Sequence, residues 1–185
     1  MDIGKEGHSL ALKRLWNTGD GVDVVLTLGH EDGILTLVYE VAELELRRMV
    51  THANGPVWTD SCVELFIQGR GEEYSNFEFS ASGAFLAAHG RGRAGRVFYD
   101  EEARRHVHDS VTILENNNHL SRWRLEARLD LIALKIIDSV PCTVRLNAYK
   151  CGDGLRKPHF LSLFPIDVPE PDFHRPEFFQ SVNLV

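Results

Sequence analysis

This chain lacks long apolar runs and any excess of positive charge. No stretch approaches the ~20 consecutive apolar residues of a membrane-spanning helix. Lys and Arg number 20 against 27 Asp and Glu, a formal net charge of −7. Neither a general nucleic-acid binder nor a protein of anionic membrane surfaces is expected from that balance. Cysteine is scarce: Cys62, Cys142 and Cys151 are odd in number, and no two are spaced Cys-x-x-Cys. Their spacing therefore signals neither a disulfide framework nor a zinc site, and a reducing compartment fits best. Met1–Gly7 carries no apolar leader segment. A cytoplasmic location is expected on that ground, or an extracytoplasmic one if a leader has been removed. Internal repeats, heptads and low-complexity tracts are missing, and amphipathic helix is almost absent.

What is present is alternation. The 185 residues, 43% hydrophobic and 25% charged, suit one domain over residues 1–185 with a real core. Residues 1–20 are weakly patterned, with one strand expected around Leu10–Trp16. Val22–Leu28 and Ile34–Val41 flank the turn His30–Gly33 and read as a hairpin. Glu43–Val50 reads as extended, and His52–Pro56 as a loop. Tyr74–Ala81 and Ala84–Ala88 follow as strands. Residues 89–109, rich in glycine, arginine and then mixed charge, read as a long flexible loop bordering a site. Val111–Leu114, Ser121–Leu129, Cys142–Tyr149 and Phe160–Phe164 complete the strands, with a helical turn expected near Asp130–Ile137. Trp123, Leu125, Ala127 and Leu129 share one face, which makes Trp123 a core residue. Pro165–Pro176 carries four prolines and should run extended. Short alternating strands with frequent turns point to an all-β protein, an antiparallel two-sheet sandwich with at most short helical turns.

The stretch Pro56–Gln68 anchors the functional reading. Pro56 brings the chain in extended. From Cys62 onward Val63, Leu65 and Ile67 share one face, and Cys62, Glu64, Phe66 and Gln68 the other, as in a half-buried strand. Trp58 and Asp60 stand just before it. An aromatic plate beside carboxylates suits a sugar, whose CH face stacks while its hydroxyls donate to the acids. The plainer alternative is a core tryptophan and a solvated carboxylate. Glu64, Asn76, Glu78, Arg145, Asn147 and Tyr149 are expected on one solvent-facing sheet face, a mixture able both to donate to and accept from hydroxyls.

Val57–Glu64, Asn76–Gly83, Trp123–Glu126, Arg145–Lys150 and Pro171–Phe178, in that order, resemble the family 9 carbohydrate-binding modules and their stand-alone relatives. The similarity runs from about Val22 to the C-terminus. The resemblance implies an immunoglobulin-like β-sandwich related to the DOMON sugar- and haem-binding domains. It also implies a sugar end held between two tryptophans, with Glu, Asn and Arg as polar contacts. Trp58 looks like the first tryptophan, Glu64 like the carboxylate and Asn147 like the asparagine. Where the second tryptophan would fall, this chain has Tyr149-Lys-Cys-Gly152, with Tyr149 or Phe160 as substitutes. Some members hold structural calcium; this chain offers no dense acidic loop, so calcium stays open and no other cofactor is signalled.

The expected function is therefore non-catalytic carbohydrate binding through Trp58, Asp60, Glu64, Glu78, Arg145, Asn147 and Tyr149. Two alternatives stand beside it. A glycoside hydrolase could draw its two carboxylates from Asp60, Glu64 and Glu78. A haem domain could use Met49 and His159 as an axial pair. An assembly role for the polar face also remains open, as does the oligomeric state. His174 and Arg175, set between prolines, are read as structural.

Overall fold

The computed structural model describes residues 1–185. In chain order its strands are β1 (Asp2–Ile3), β2 (His8–Ala11), β3 (Lys13–Arg14), β4 (Asp23–Glu31), β5 (Ile34–Glu43), β6 (Cys62–Gln68) and β7 (Tyr74–Ser80). Then follow β8 (Phe85–Gly90), β9 (Val97–Phe98), β10 (Val107–Asn116), β11 (Ser121–Asp130), β12 (Cys142–Cys151), β13 (Leu161–Ser162) and β14 (Gln180–Leu184). Helix is confined to α1 (Glu101–Arg104) and single 3-10 turns at Val57–Thr59 and Pro176–Phe178.

The strands form two sheets packed as a sandwich. One runs β1-β14-β12-β6-β7-β8-β9, with β13 and β3 extending from β12; the other runs β10-β11-β5-β4-β2. Every pairing is antiparallel except β1 with β14. Period-two alternation sends Val24, Leu26 and Leu28 of β4, Leu35 and Leu37 of β5, and Trp123, Leu125 and Leu129 of β11 inward. They meet Val63, Leu65 and Ile67 of β6 and Phe77 and Phe79 of β7, in a continuous cluster of 33 buried residues. Each such side chain contributes roughly 1.5–3 kcal/mol on full burial.

One polar group sits inside this core. Glu43 accepts from Trp123 Nε1 at 2.6 Å and pairs with Lys150 Nζ at 2.9 Å, and both charged side chains are fully buried. Lys150 also donates to His159 Nε2 at 2.9 Å. Burial first, and then the Lys150 charge, push His159 down to about 3, so it stays neutral as an acceptor.

The large sheet differs from the half-buried expectation. All seven residues of β6 are buried, because a second layer covers the outer face. Val50, Val57, Ile166, Phe173 and Phe179 from the connecting segments pack on Cys62, Phe66, Tyr74 and Tyr149. The face expected to be open to solvent is thus largely roofed over. The expected loop 89–109 is shorter than its composition suggests. β8 runs to Gly90, β9 pairs back on it, and Asp100 caps α1 by accepting from Ala103 N at 2.8 Å. β14, which carries Val182 and Leu184 inward, lay beyond the strands expected from the sequence.

Candidate functional site

The roof over the large sheet is incomplete. A groove of about 380 Å³ opens between the loop around Trp58, the 90–98 segment and the proline-rich segment near Phe173. Its walls include Trp58, Phe98, Phe160 and Phe173, and its floor carries Glu64, Asn76 and Glu78.

Trp58 reaches this groove because the Val57–Thr59 turn is pinned on both sides. Val57 is fully buried as an anchor. The Trp58 and Thr59 carbonyls accept from the amides of Asp153 and Gly154 at 3.0 Å each. That approach requires glycine at 154, since a Cβ there would stand 2.6 Å from the Thr59 carbonyl oxygen. The Trp58 ring itself stays 40% exposed. Asp60 holds the same loop from inside. Its carboxylate accepts from the amides of Met49 and Val50 and from Ser80 Oγ, each at 2.9 Å, and it is fully buried. These bonds tie the segment after β5, which has no regular secondary structure over residues 45–50, to the Trp58 loop.

Glu64 on β6 lies directly opposite Glu78 on β7, side by side on the groove floor. Burial raises Glu64 well above the usual carboxylate range, with Cys151 and Glu78 adding to the effect. Burial also lifts Glu78 to about 7, although the Asn76 amide and Arg96 pull it back. Asn76 Nδ2 donates to Glu78 Oε1 at 2.7 Å, and Arg96 Nε donates to Asn76 Oδ1 at 2.8 Å. Glu78 Oε2 is buried and has no protein partner. Arg96 is fixed over the Tyr74 ring at 4.3 Å and donates to the carbonyls of Tyr74 and Gly92. The arginine-rich segment therefore folds onto the sheet as one wall of the groove.

Three of the seven sequence candidates, Trp58, Glu64 and Glu78, meet here. Asp60 stands behind the loop, as described. Arg145 donates to Gln68 Oε1 and to the carbonyls of Pro176 and Phe179, tying the C-terminal segment to the sheet. Asn147 is fully buried, bonded to both the amide and the carbonyl of Phe164. Tyr149 is fully buried too, stacked on Phe173 with centroids 4.2 Å apart, so its face is already covered. Of the two aromatics named as substitutes for the second tryptophan, Phe160 lines the groove and Tyr149 lies beneath it.

Arg93, Arg96, Phe98, Asp153, Phe173 and His174 line the groove without having been named as ligands. Alternation could not find them, because all but Phe98, which sits on the two-residue strand β9, come from connecting segments. His174 meets the Tyr74 hydroxyl at 2.7 Å through Nδ1. Burial and the nearby Arg96 and Arg93 push it down to about 4, which fits its structural reading.

The geometry does not suit the two alternatives. Of the three acids a hydrolase could draw on, Asp60 is enclosed and bonded to the amides of Met49 and Val50, Glu64 accepts from Cys151 Sγ, and Glu78 accepts from Asn76 Nδ2, so no two stand free for acid and nucleophile work. Met49 is 67% exposed while His159 is enclosed with Lys150 and Glu43, so the two do not converge on a haem. Calcium does not fit the one set of acidic, cysteine and histidine side chains that converges. That set is Cys62, Glu64 and Cys151, with donor atoms within 4.8 Å of one another. Two sulfurs and a carboxylate are the wrong donors for an ion that takes 6–8 oxygens.

Several proteins resemble this chain. A Bacteroides uniformis protein assigned to carbohydrate binding superposes with a TM-score of 0.89 at 26% identity, over 100% of this chain and 98% of its own. A family 9 carbohydrate-binding module of Caldicellulosiruptor kristjanssonii, solved with cellotriose, gives a TM-score of 0.60 at 10% identity over 100% and 92%. The same organism's module with glucose gives 0.60 at 11% over 100% and 95%, and at this identity both show the sandwich fold alone. No curated protein matches the chain in sequence. The sequence profile of carbohydrate-binding family 9 matches residues 15–184, nearly the whole sandwich and every groove residue. The chain belongs to carbohydrate-binding family 9.

Proposed function

We propose that the groove beside Trp58 binds the end of a glucose-type saccharide without cleaving it. The observation that carries the reading is a 40% exposed indole bordering a groove whose floor holds a buried carboxylate oxygen, Glu78 Oε2, with no protein partner. A sugar hydroxyl supplies that partner. Trp58 stacks on the ring's CH face, while Glu64, Glu78 and Asn76 exchange hydrogen bonds with its hydroxyls. Phe160 closes the opposite side in place of a second tryptophan. The cellotriose and glucose held by the Caldicellulosiruptor modules support the choice of sugar.

Each hydrogen bond is worth about 0.5–1.5 kcal/mol net, so affinity in the micromolar range or weaker is expected. Isothermal titration with glucose and cellotriose, on chelator-treated protein, tests the reading. Wild type should bind, and Trp58→Ala should lose at least about tenfold through the lost stacking surface. Equal binding by both proteins, or none by either, would sink it.

A further inference from the structure

The pairing of β6 with β12 sets Cys62 directly opposite Cys151, although 88 residues separate them in the chain. Glu64 follows two positions after Cys62 on the same face, and its Oε1 accepts from Cys151 Sγ at 2.9 Å. All three side chains are buried, and both cysteines are free thiols. Their donor atoms lie within 4.8 Å of one another. A tetrahedral ion with metal–sulfur bonds of about 2.3 Å holds its donors roughly 3.5–4 Å apart, so inward movements of about 1 Å close the set. Cys151 and Glu64 also line the groove, together with Asp153, which gives an ion a route in and a carboxylate as fourth donor. Asp153 is near enough to raise both Cys151 and Glu64 by its charge.

From this juxtaposition we infer that Cys62, Cys151 and Glu64 form a binding site for a thiophilic divalent cation of the zinc type, completed from the groove by Asp153 or water. Two thiolates with one or two carboxylates are a donor set for zinc, and are too soft for calcium or magnesium. Binding releases the protons of both thiols to solvent, and Glu64's with them, so occupancy rises with pH. The site does not depend on sugar binding, although Glu64 belongs to both.

The test uses the full chain, reduced with a phosphine, freed of metal with a chelator and titrated with Co²⁺ in the absence of sugar. One equivalent should give tetrahedral visible bands and a near-ultraviolet charge-transfer band of two-thiolate intensity. One equivalent of Zn²⁺ should then bleach both. Cys62→Ser and Cys151→Ser should each halve the charge-transfer intensity and weaken binding by more than about 100-fold, the upper loss seen for mere outer-shell partners. Cys142→Ser, which alters the cysteine outside the cluster, should change neither. Zn²⁺ should also raise the thermal midpoint of wild type but not of Cys151→Ser, which separates ligand loss from misfolding. No thiolate band, a one-thiolate band, or equal loss in Cys142→Ser overturns the proposal. Because the readout contains no sugar, failure of the saccharide reading leaves this result standing.

Discussion

The two apolar clusters of this chain lie on opposite faces of the same sheet, and they are built from different material. The inner one, 33 residues between the sheets, is dominated by aliphatic side chains delivered by strand alternation. The outer one, 12 residues, is rich in aromatics, and part of it comes from connecting segments that fold back over β6 and β12. Strand pairing fixes most of the inner residues at once, so that core closes. The outer layer is laid down by loops of uneven length, and it leaves the Trp58 groove where they fail to meet. Buried polar groups follow the same division. Inside, Glu43 Oε2 has no aligned hydrogen bond but is held in an ion pair by Lys150 Nζ at 2.9 Å, and Lys150 in turn donates to His159. Outside, Glu78 keeps an oxygen without a partner. A closed core supplies stability, and an incomplete one leaves space and unspent hydrogen-bonding capacity for a ligand.

The comparison can be broken first at its inner side. Lys150→Met removes the ion-pair partner of the enclosed Glu43 between the sheets, so stability should fall by about 3–5 kcal/mol in urea unfolding. The double variant Lys150→Met with Glu43→Gln should recover most of that loss, since the neutral amide still accepts from Trp123 Nε1 and carries no charge to compensate. A single variant within experimental error of wild type would mean that the inner core is wetter than the structure shows.

Phe173→Ala probes the outer layer. Phe173 packs face to face on Tyr149 and also lines the groove. Its removal should cost roughly 2–3 kcal/mol, below the ~3–5 of a fully enclosed phenylalanine, because the loop can relax. Sugar affinity should fall with it, whereas Lys150→Met should leave affinity unchanged in the folded fraction. If Phe173→Ala lost stability and kept full affinity, the groove would not be the binding surface.

The smallest effect sharpens the contrast through pH. Burial raises Glu78 from 4.5 to about 7, so the folded protein holds more protons than the unfolded chain across that window. This contribution is fully present below pH 4.5 and is lost as pH rises toward 7. His174 and His159, lowered to about 4 and about 3, act with the opposite sign and lose stability as pH falls below 6.5. Glu78→Gln isolates the carboxylate. Relative to wild type it should gain on the order of 2 kcal/mol between pH 5 and pH 7. A flat difference in thermal midpoint across that range would show that Glu78 is well solvated.

Much of the sandwich was legible in the residues, because a strand packed on one side writes its burial into every second position. β4, β5, β11 and the start of β12 carry that pattern, and Trp123 was readable as core from it. β6 and β7 alternate in sequence too, but alternation cannot report that the other face has been covered by a distant segment. The groove was legible where it borders a strand or a turn marked by proline, at Trp58, Glu64, Asn76 and Glu78, and at Phe160 through the family resemblance. Asp60, Arg145, Asn147 and Tyr149 share their residue types but spend their hydrogen bonds holding loops and the C-terminal segment.

The order of residues alone determined the fold class and most of the inner core, since these depend on period and chemical type. Only the tertiary structure decided which polar groups meet. Arg96 reaches Asn76 by the folding back of a loop. Cys151 reaches Cys62 and Glu64 by the pairing of strands far apart in the chain. Convergence of this kind depends on how segments distant in sequence are registered and covered, and local pattern carries no record of that.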